Sequence, residues 1–157
     1  MNKKRWLILL AAVVGTELVG SLSGLLAGDI RGMYESFNQI PLSPPGSLFG
    51  IVWPILYFLM GLSLFLIIIT PAKRSTKMFA YGIYGLQLLL NFTWSLVFFG
   101  GDQMFLAIFN ILALDLLVLC QIIYYRRISK WAAYLLVPYL VWILFATYLN
   151  IGFALVN

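Results

Sequence analysis

Aromatic side chains recur at helical spacing in the stretch that begins with Pro44 and Pro45. Phe49, Trp53 and Tyr57 are four residues apart, so on an α-helix they lie on one face. A wall of this kind suits flat aromatic ligands, because ring stacking adds to the burial of apolar surface. We therefore predict that these rings line a binding pocket. The alternative is that Trp53 and Tyr57 only anchor a helix at a membrane interface, where such rings are common.

A second face combines polar and aromatic side chains at steps of three and four residues: Gln87, Asn91, Trp94 and Phe98. Amide groups in hydrocarbon need hydrogen-bond partners, so these two amides should face the protein interior or a ligand. For Gln87, hydrogen bonding between helices explains the position as well as ligand contact does. For Asn91, the flanking aromatic residues favour the pocket.

Two acidic residues, Glu17 and Asp115, lie within long apolar segments. An acid at the centre of a membrane helix costs about 2.5–3.5 kcal/mol on insertion scales, so such residues are usually functional or internally hydrogen-bonded. Thr16 and Ser21 are close enough in sequence to be partners of Glu17. No basic residue occurs in any of the apolar segments, so we expect both acids to be protonated. The pattern does not choose between a proton carrier and a neutral structural acid.

The composition indicates that these residues are carried by membrane helices. Hydrophobic residues make up 63% of the chain and charged residues 10%, against roughly 45–50% and about 25% in a soluble domain. A helix needs about 20 apolar residues to cross a bilayer. We predict an all-α fold, a single transmembrane bundle over residues 1–157 with five spans at about 6–27, 47–70, 78–99, 104–125 and 131–156. Residues 28–46, called here the first loop, are the only connection long enough to act as a lid.

The distribution of charge predicts the orientation of the chain. Basic residues gather at the N-terminus and in the connections 73–77 and 126–130, called here the basic turns. The acids of the connections lie in the first loop and in residues 100–103, and only Arg31 breaks this alternation. The positive-inside rule then places the N-terminus in the cytoplasm and the C-terminus outside the cell membrane. The net charge of +5 therefore reflects topology, and we expect no nucleic-acid partner.

The absence of histidine limits the chemistry that the chain can perform. It removes the Ser-His-Asp triad, the imidazole zinc site and the histidine ligand of haem. We therefore predict no metal site and no required cofactor. Apart from the photochemistry considered below, no enzymatic activity is expected, since no acid-base pair is evident.

Small residues recur every four positions along the first span, at Ala12, Thr16, Gly20, Gly24 and Gly28. Such a stripe lets another helix approach closely, which makes it a packing face. The partner of this face is either a neighbouring helix of the same chain or a second copy of the protein.

Three stretches of the chain resemble the translocator protein family, also called tryptophan-rich sensory proteins or peripheral-type benzodiazepine receptors. They are Pro44-Pro45-Gly46 with Phe49, Val52-Trp53 and Leu56-Tyr57; Asn91-Phe92-Thr93-Trp94-Ser95 with Phe98-Phe99-Gly100; and Pro138-Tyr139-Leu140-Val141-Trp142 with Phe145-Ala146-Thr147 and Leu149-Asn150. The chain length, the five spans and the order of the motifs agree as well, so the resemblance covers nearly the whole chain.

This resemblance implies a five-helix bundle, often a homodimer, with a pocket that opens towards the first loop. In the family this pocket binds porphyrins and synthetic isoquinoline or benzodiazepine-type ligands. The corresponding ligand-binding residues here are Pro44, Pro45, Phe49, Trp53, Tyr57, Asn91, Trp94, Phe98, Trp142, Phe145 and Ala146. Sterol binding is not implied, because the animal motif requires a basic residue shortly after the tyrosine of the last span and none follows Tyr148.

The leading hypothesis is a membrane protein that binds porphyrins or other flat aromatic molecules and acts in their transport, regulation or light-dependent degradation. Degradation is credited to pocket tryptophans in some family members, and Trp53 and Trp142 are the candidates here. The alternative is a proton-coupled exporter of lipophilic cations that uses Glu17, although internal repeats, which are common in transporters, are absent. A scaffold without a ligand is the third hypothesis, and it predicts no saturable binding.

Overall fold

The computed structural model describes residues 2–101 and 103–157, and these residues form helices and no strand. A π-helical turn, Leu96–Gly100, continues α4. Asp102, in the predicted 100–103 turn, lies outside the described residues. The predicted all-α class is confirmed. The helices are α1 (Lys3–Ala27), α2 (Ile30–Ser36), α3 (Ser47–Ile69), α4 (Arg74–Ser95), α5 (Met104–Tyr125), α6 (Lys130–Tyr134) and α7 (Val137–Val156).

Within residues 2–101 and 103–157, five helical segments are long and apolar enough to cross a membrane, as expected. Pro71 follows the end of α3, where the Thr70 amide still donates to the Leu66 carbonyl over 3.0 Å. At the same end of the bundle, the Asn2 side chain accepts a hydrogen bond from the Arg5 amide and caps α1. The segments are Lys3–Ala27, Ser47–Ile69, Arg74–Gly100, Met104–Tyr125 and Lys130–Val156.

The fifth segment consists of two helices rather than the single helix that the apolar run suggests. α6 ends at Tyr134 and α7 begins at Val137. Pro138 explains the break, because a proline ring clashes with the carbonyl four residues earlier and its nitrogen has no proton to donate. Near the start of α7 the missing donor is harmless.

The first loop contains a short helix, α2, which packs onto one end of the bundle. The Tyr34 ring is buried and lies 4.8 Å from the ring of Phe49 and 5.5 Å from that of Phe153. Its hydroxyl donates to the carbonyl of Pro44 over 2.7 Å. Burial raises the pKa of this hydroxyl above its ordinary value. The first loop is therefore an ordered cover over this end of α3 and α7.

The small-residue stripe of α1 packs against α3 and α4 of the same chain. Gly61 of α3 approaches α1 so closely that an added Cβ would lie 2.6 Å from the Cα of Val13. Gly20 lies against the ring of Tyr57, and the hydroxyls of Thr16 and Tyr84 are 2.5 Å apart. The close approach that the stripe predicts is thus made within one bundle. The homodimer stays a prediction.

Candidate functional site

A cavity of about 300 Å³ lies between α1 and α3, with α2 at one end. This volume is at the lower limit of the range for ligand pockets, roughly 300–1,000 Å³. The cavity is lined by Glu17, Gly20, Ser21, Gly24, Ile30, Arg31, Gly46, Ser47, Phe49, Gly50, Trp53, Pro54, Tyr57, Ser95 and Phe99.

The two long walls of the cavity differ in chemistry. On the α3 side, the rings of Trp53 and Tyr57 are stacked 5.5 Å apart at an interplanar angle of 27°. On the α1 side, Gly20, Ser21 and Gly24 present almost no side chain. The stacking follows from the four-residue spacing on α3, and the bare opposite wall follows from the small-residue stripe. Because Gly20 packs directly on the ring of Tyr57, the slot suited to a flat ring lies beside Trp53, opposite Ser21 and Gly24.

The ends of the slot carry charged side chains. Glu17 lies at the inner end, about 10 Å along α1 from Gly24 at a rise of 1.5 Å per residue. Its expected partner Thr16 bonds instead to the Ala12 carbonyl and Tyr84. The outer end has Arg31, whose Nε is 2.9 Å from Glu35.

The hydrogen bond to Glu35 and the charge of its carboxylate raise the pKa of Arg31 further above its already high value. The outer end of the slot is therefore permanently cationic, with one carboxylate beside it. Both of these side chains are exposed.

Asn91 lies behind the aromatic wall rather than in the cavity lining. The Tyr57 hydroxyl donates to Oδ1 of Asn91 over 2.7 Å, and Nδ2 of Asn91 donates to the Tyr139 hydroxyl over 3.0 Å. The Tyr139 hydroxyl in turn donates to Oε1 of Gln87 over 2.9 Å. All four side chains are buried, so this network joins α3, α4 and α7 and fixes the position of the Tyr57 ring.

Sequence comparison now decides the family. A sequence model described as the TspO/MBR family matches residues 7–156 of this chain. This protein belongs to the TspO/MBR family. It is 35% identical to the tryptophan-rich protein TspO of Archaeoglobus fulgidus over 157 residues, which are 100% of this chain and 99% of the relative.

Bacterial and animal relatives agree with this assignment. The tryptophan-rich sensory protein of Cereibacter sphaeroides is 30% identical and the translocator protein of Ovis aries 36% identical; the alignments cover 92% and 87% of this chain and 88% and 85% of the relatives. The resemblance found in the motifs is confirmed. With five long apolar helices in the part of the chain that the structure describes, this TspO/MBR protein is a multi-pass membrane protein with a translocator or sensory role.

The TspO/MBR motif on α4 supports the aromatic wall from behind. Trp94 is 2% exposed and stacks on Phe98, with ring centres 5.3 Å apart. Its Nε1 donates to Oδ1 of Asn150 over 3.1 Å, which fixes the indole. The ring of Trp53 is 6.2 Å from that of Trp94. Trp53 therefore has the cavity on one side and the aromatic core on the other.

The TspO/MBR motif on α7 is also outside the cavity lining. Trp142 is half-buried with its ring 5.9 Å from that of Phe49, and its buried Nε1 has no partner among the described residues. Phe145 is half-buried beside Trp142, and Ala146 is buried. These residues pack behind the entrance of the cavity.

Pro44 and Pro45 line a second cleft, together with Tyr34 and Ser43. Of the predicted ligand-binding residues, the cavity lining therefore contains Phe49, Trp53 and Tyr57.

Several cavity residues were not predicted as ligand contacts from the sequence. Their spacing identifies Gly20 and Gly24 only as a packing face, and Ser95 and Phe99 belong to the motif of α4 without being indicated as ligand contacts. The small-residue stripe could have indicated this cavity, because a helix surface without side chains leaves space opposite a row of rings wherever the two helices diverge. The local sequence does not show where they diverge.

Asp115, the second acid at membrane depth, does not line the cavity. Its Oδ2 is 2.6 Å from the hydroxyl of Thr147, and that hydroxyl is also 2.9 Å from the carbonyl of Ile143. The Thr147 hydroxyl donates to Oδ2 of Asp115 and is shared with the Ile143 carbonyl. Asp115 therefore joins α5 to α7 through a side-chain hydrogen bond and has a structural position outside the cavity.

Proposed function

We propose that this TspO/MBR protein binds flat aromatic ligands of the tetrapyrrole class in the cavity between α1 and α3. The observation that carries the proposal is the slot itself, in which Trp53, stacked on Tyr57, lines one side and Ser21 and Gly24 of α1 line the other. A flat ring in this slot gains stacking as well as apolar burial.

The size and charge of the cavity suggest how a porphyrin would lie in it. A volume of about 300 Å³ holds part of a porphyrin, so the ring enters by one edge and the opposite edge stays at the opening. Arg31 lies at that opening. A guanidinium group pairs well with carboxylates, so the propionates of the ligand are expected near this residue.

Binding is the step that transport, regulation and light-dependent degradation of a porphyrin have in common. Trp53 lies in the cavity lining, and Trp142 packs behind it against Phe49. If the bound porphyrin is degraded in light, Trp53 is the tryptophan positioned to take part. The proposed role is thus a tetrapyrrole receptor, with any later step starting from the bound state.

The test is a titration of purified protein in detergent with free-base protoporphyrin, followed by quenching of tryptophan emission. Loss of one stacked aromatic pair costs about 0.5–1.5 kcal/mol, so Trp53→Phe should weaken binding only a few-fold, since a ring is retained. Trp53→Ala removes the ring and should weaken binding roughly tenfold or more. Trp142→Phe should weaken binding less than Trp53→Ala does.

The control is Trp6→Phe, because Trp6 is 52% exposed at the far end of α1. The dissociation constant of Trp6→Phe for protoporphyrin should equal that of the wild type. Equal affinities for Trp53→Ala and Trp6→Phe, or quenching that never saturates, would show that the porphyrin only partitions into the micelle. Either result would refute the proposal.

A further inference from the structure

Glu17 is an acidic group in the cavity that the protein itself leaves without a counter-ion. It lies near the middle of α1, and among the described residues the single ion pair is the one between Arg31 and Glu35. An acid at this depth is costly, and the cost persists unless the group finds a partner. The cavity places this carboxyl group where a ligand can reach it.

The other ionisable groups that face the cavity do not neutralise Glu17. The hydroxyl of Tyr57 donates to Asn91, so its proton is already used. Arg31 is at the opposite end of the slot and is paired with Glu35. The remaining lining consists of glycines, serines, apolar side chains and Pro54, none of which carries charge.

The aromatic wall next to Glu17 also favours a cation. The faces of tryptophan and tyrosine rings attract positive charge, and this attraction strengthens when the cation is removed from water. Trp53 and Tyr57 both line the slot on the side opposite α1. An ammonium group at the inner end of the slot would therefore meet a carboxylate and ring faces together.

We propose that the cavity also accepts flat aromatic ligands that carry a basic amine, and that Glu17 selects them by pairing with the ammonium group. This inference rests on the proposed binding of flat aromatic ligands in the same cavity and adds a second ligand class to it. The ring of such a ligand stacks on Trp53 and its ammonium group lies at the inner end. The charge-assisted hydrogen bond formed there is stronger than one between neutral groups.

The test compares two probes that share one ring and differ in one polar group, the ammonium of 1-pyrenemethylamine and the hydroxyl of 1-pyrenemethanol. Both present the same flat ring, and tryptophan emission is transferred to pyrene, so one assay measures both dissociation constants. The wild-type protein, in a non-ionic detergent at fixed concentration, is expected to bind the amine roughly tenfold more tightly than the alcohol, as one charge-assisted hydrogen bond allows. In Glu17→Gln the two probes should bind with equal affinity.

Two further variants make the result specific to Glu17. Glu17→Asp keeps the charge and should keep a preference for the amine. Asp115→Asn removes the other acid at membrane depth, which lies outside the cavity, and should keep the full wild-type preference.

The outcomes separate this proposal from the proposed function. If the wild type shows no preference for the amine, or if Glu17→Gln keeps the preference, selection by Glu17 is refuted while saturable binding of pyrenemethanol still supports an aromatic site. If neither pyrene probe nor protoporphyrin binds saturably, both proposals fail.

Discussion

Replacement of Gly61 by alanine tests the close contact between α1 and α3 that positions the cavity walls. A Cβ added at this glycine would lie 2.6 Å from the Cα of Val13, 3.0 Å from the carbonyl oxygen of Ala12 and 3.1 Å from the nitrogen of Val13. These are backbone atoms and cannot rotate away. Ordinary contacts begin at 3.4 Å, so the two helices must move apart by about 0.8 Å.

The expected cost follows from two opposing effects. Overpacking of a close contact costs about 1–3 kcal/mol. Alanine in place of glycine within a helix gains about 1 kcal/mol through backbone entropy. Gly61→Ala should therefore be neutral to about 2 kcal/mol less stable than the wild type. Gly82→Ala on α4 is the matched control, since nothing lies within 4 Å of its added Cβ and only the gain applies.

The assay is unfolding of the purified protein by increasing fractions of sodium dodecyl sulfate in mixed micelles, followed by circular dichroism. The free energies of unfolding of Gly61→Ala and Gly82→Ala should differ by about 1–3 kcal/mol, because the helix-propensity gain is common to both. Equal free energies for the two variants would show that α1 and α3 do not approach as described.

Four further predictions concern the polar network, the buried acid, the orientation and the first loop. Asn91→Leu should lower stability by about 1–3 kcal/mol and weaken protoporphyrin binding, because it leaves two buried tyrosine hydroxyls without their amide partner; unchanged thermal unfolding would contradict this. Asp115→Asn should change stability by less than about 1 kcal/mol, since the amide oxygen can still accept the hydrogen bond from Thr147, whereas Asp115→Ala should cost more in the same denaturation assay. Single cysteines in the first loop should react with an impermeant reagent from outside intact cells and those in the basic turns should not, and the opposite labelling would reverse the topology. Burial raises the pKa of Tyr34, so the hydrogen bond of its neutral hydroxyl to Pro44 stabilises the first loop fully below about pH 10. This stabilisation is lost as the pH rises through the pKa of Tyr34 in the folded protein. Hydrogen exchange of the first loop should show this alkaline loss in the wild type and not in Tyr34→Phe.

Composition and local spacing were sufficient to predict the membrane class, the five apolar segments and the aromatic face of α3. A membrane helix satisfies its own backbone hydrogen bonds, so each span can be identified from its own residues. In the same way, Phe49, Trp53 and Tyr57 share a face because residues four apart are neighbours on any α-helix.

Short-range sequence features were less informative where a helix is interrupted or a loop is folded. The apolar run 131–156 hid the break before Val137, although Pro138 was visible in the sequence. The first loop contains no long stretch of periodically spaced apolar residues that would predict a helix. Its helix α2 is held by contacts of Tyr34 with Phe49 of α3 and with Phe153 of α7, which is distant from Tyr34 in sequence.

The composition of the cavity was decided by the tertiary structure alone. The spacing of Gly20 and Gly24 predicts a bare helix surface, but the rotation and divergence of α1 against α3 determine that Gly20 packs on Tyr57 while Gly24 lines the cavity beside Ile30. The same rotation brings Glu17 into the cavity. Asn91 lies behind the wall because the Tyr57 and Tyr139 hydroxyls reach it from two other helices. Periodicity identifies which residues of one helix share a face, whereas the partner of that face depends on packing between helices distant in sequence.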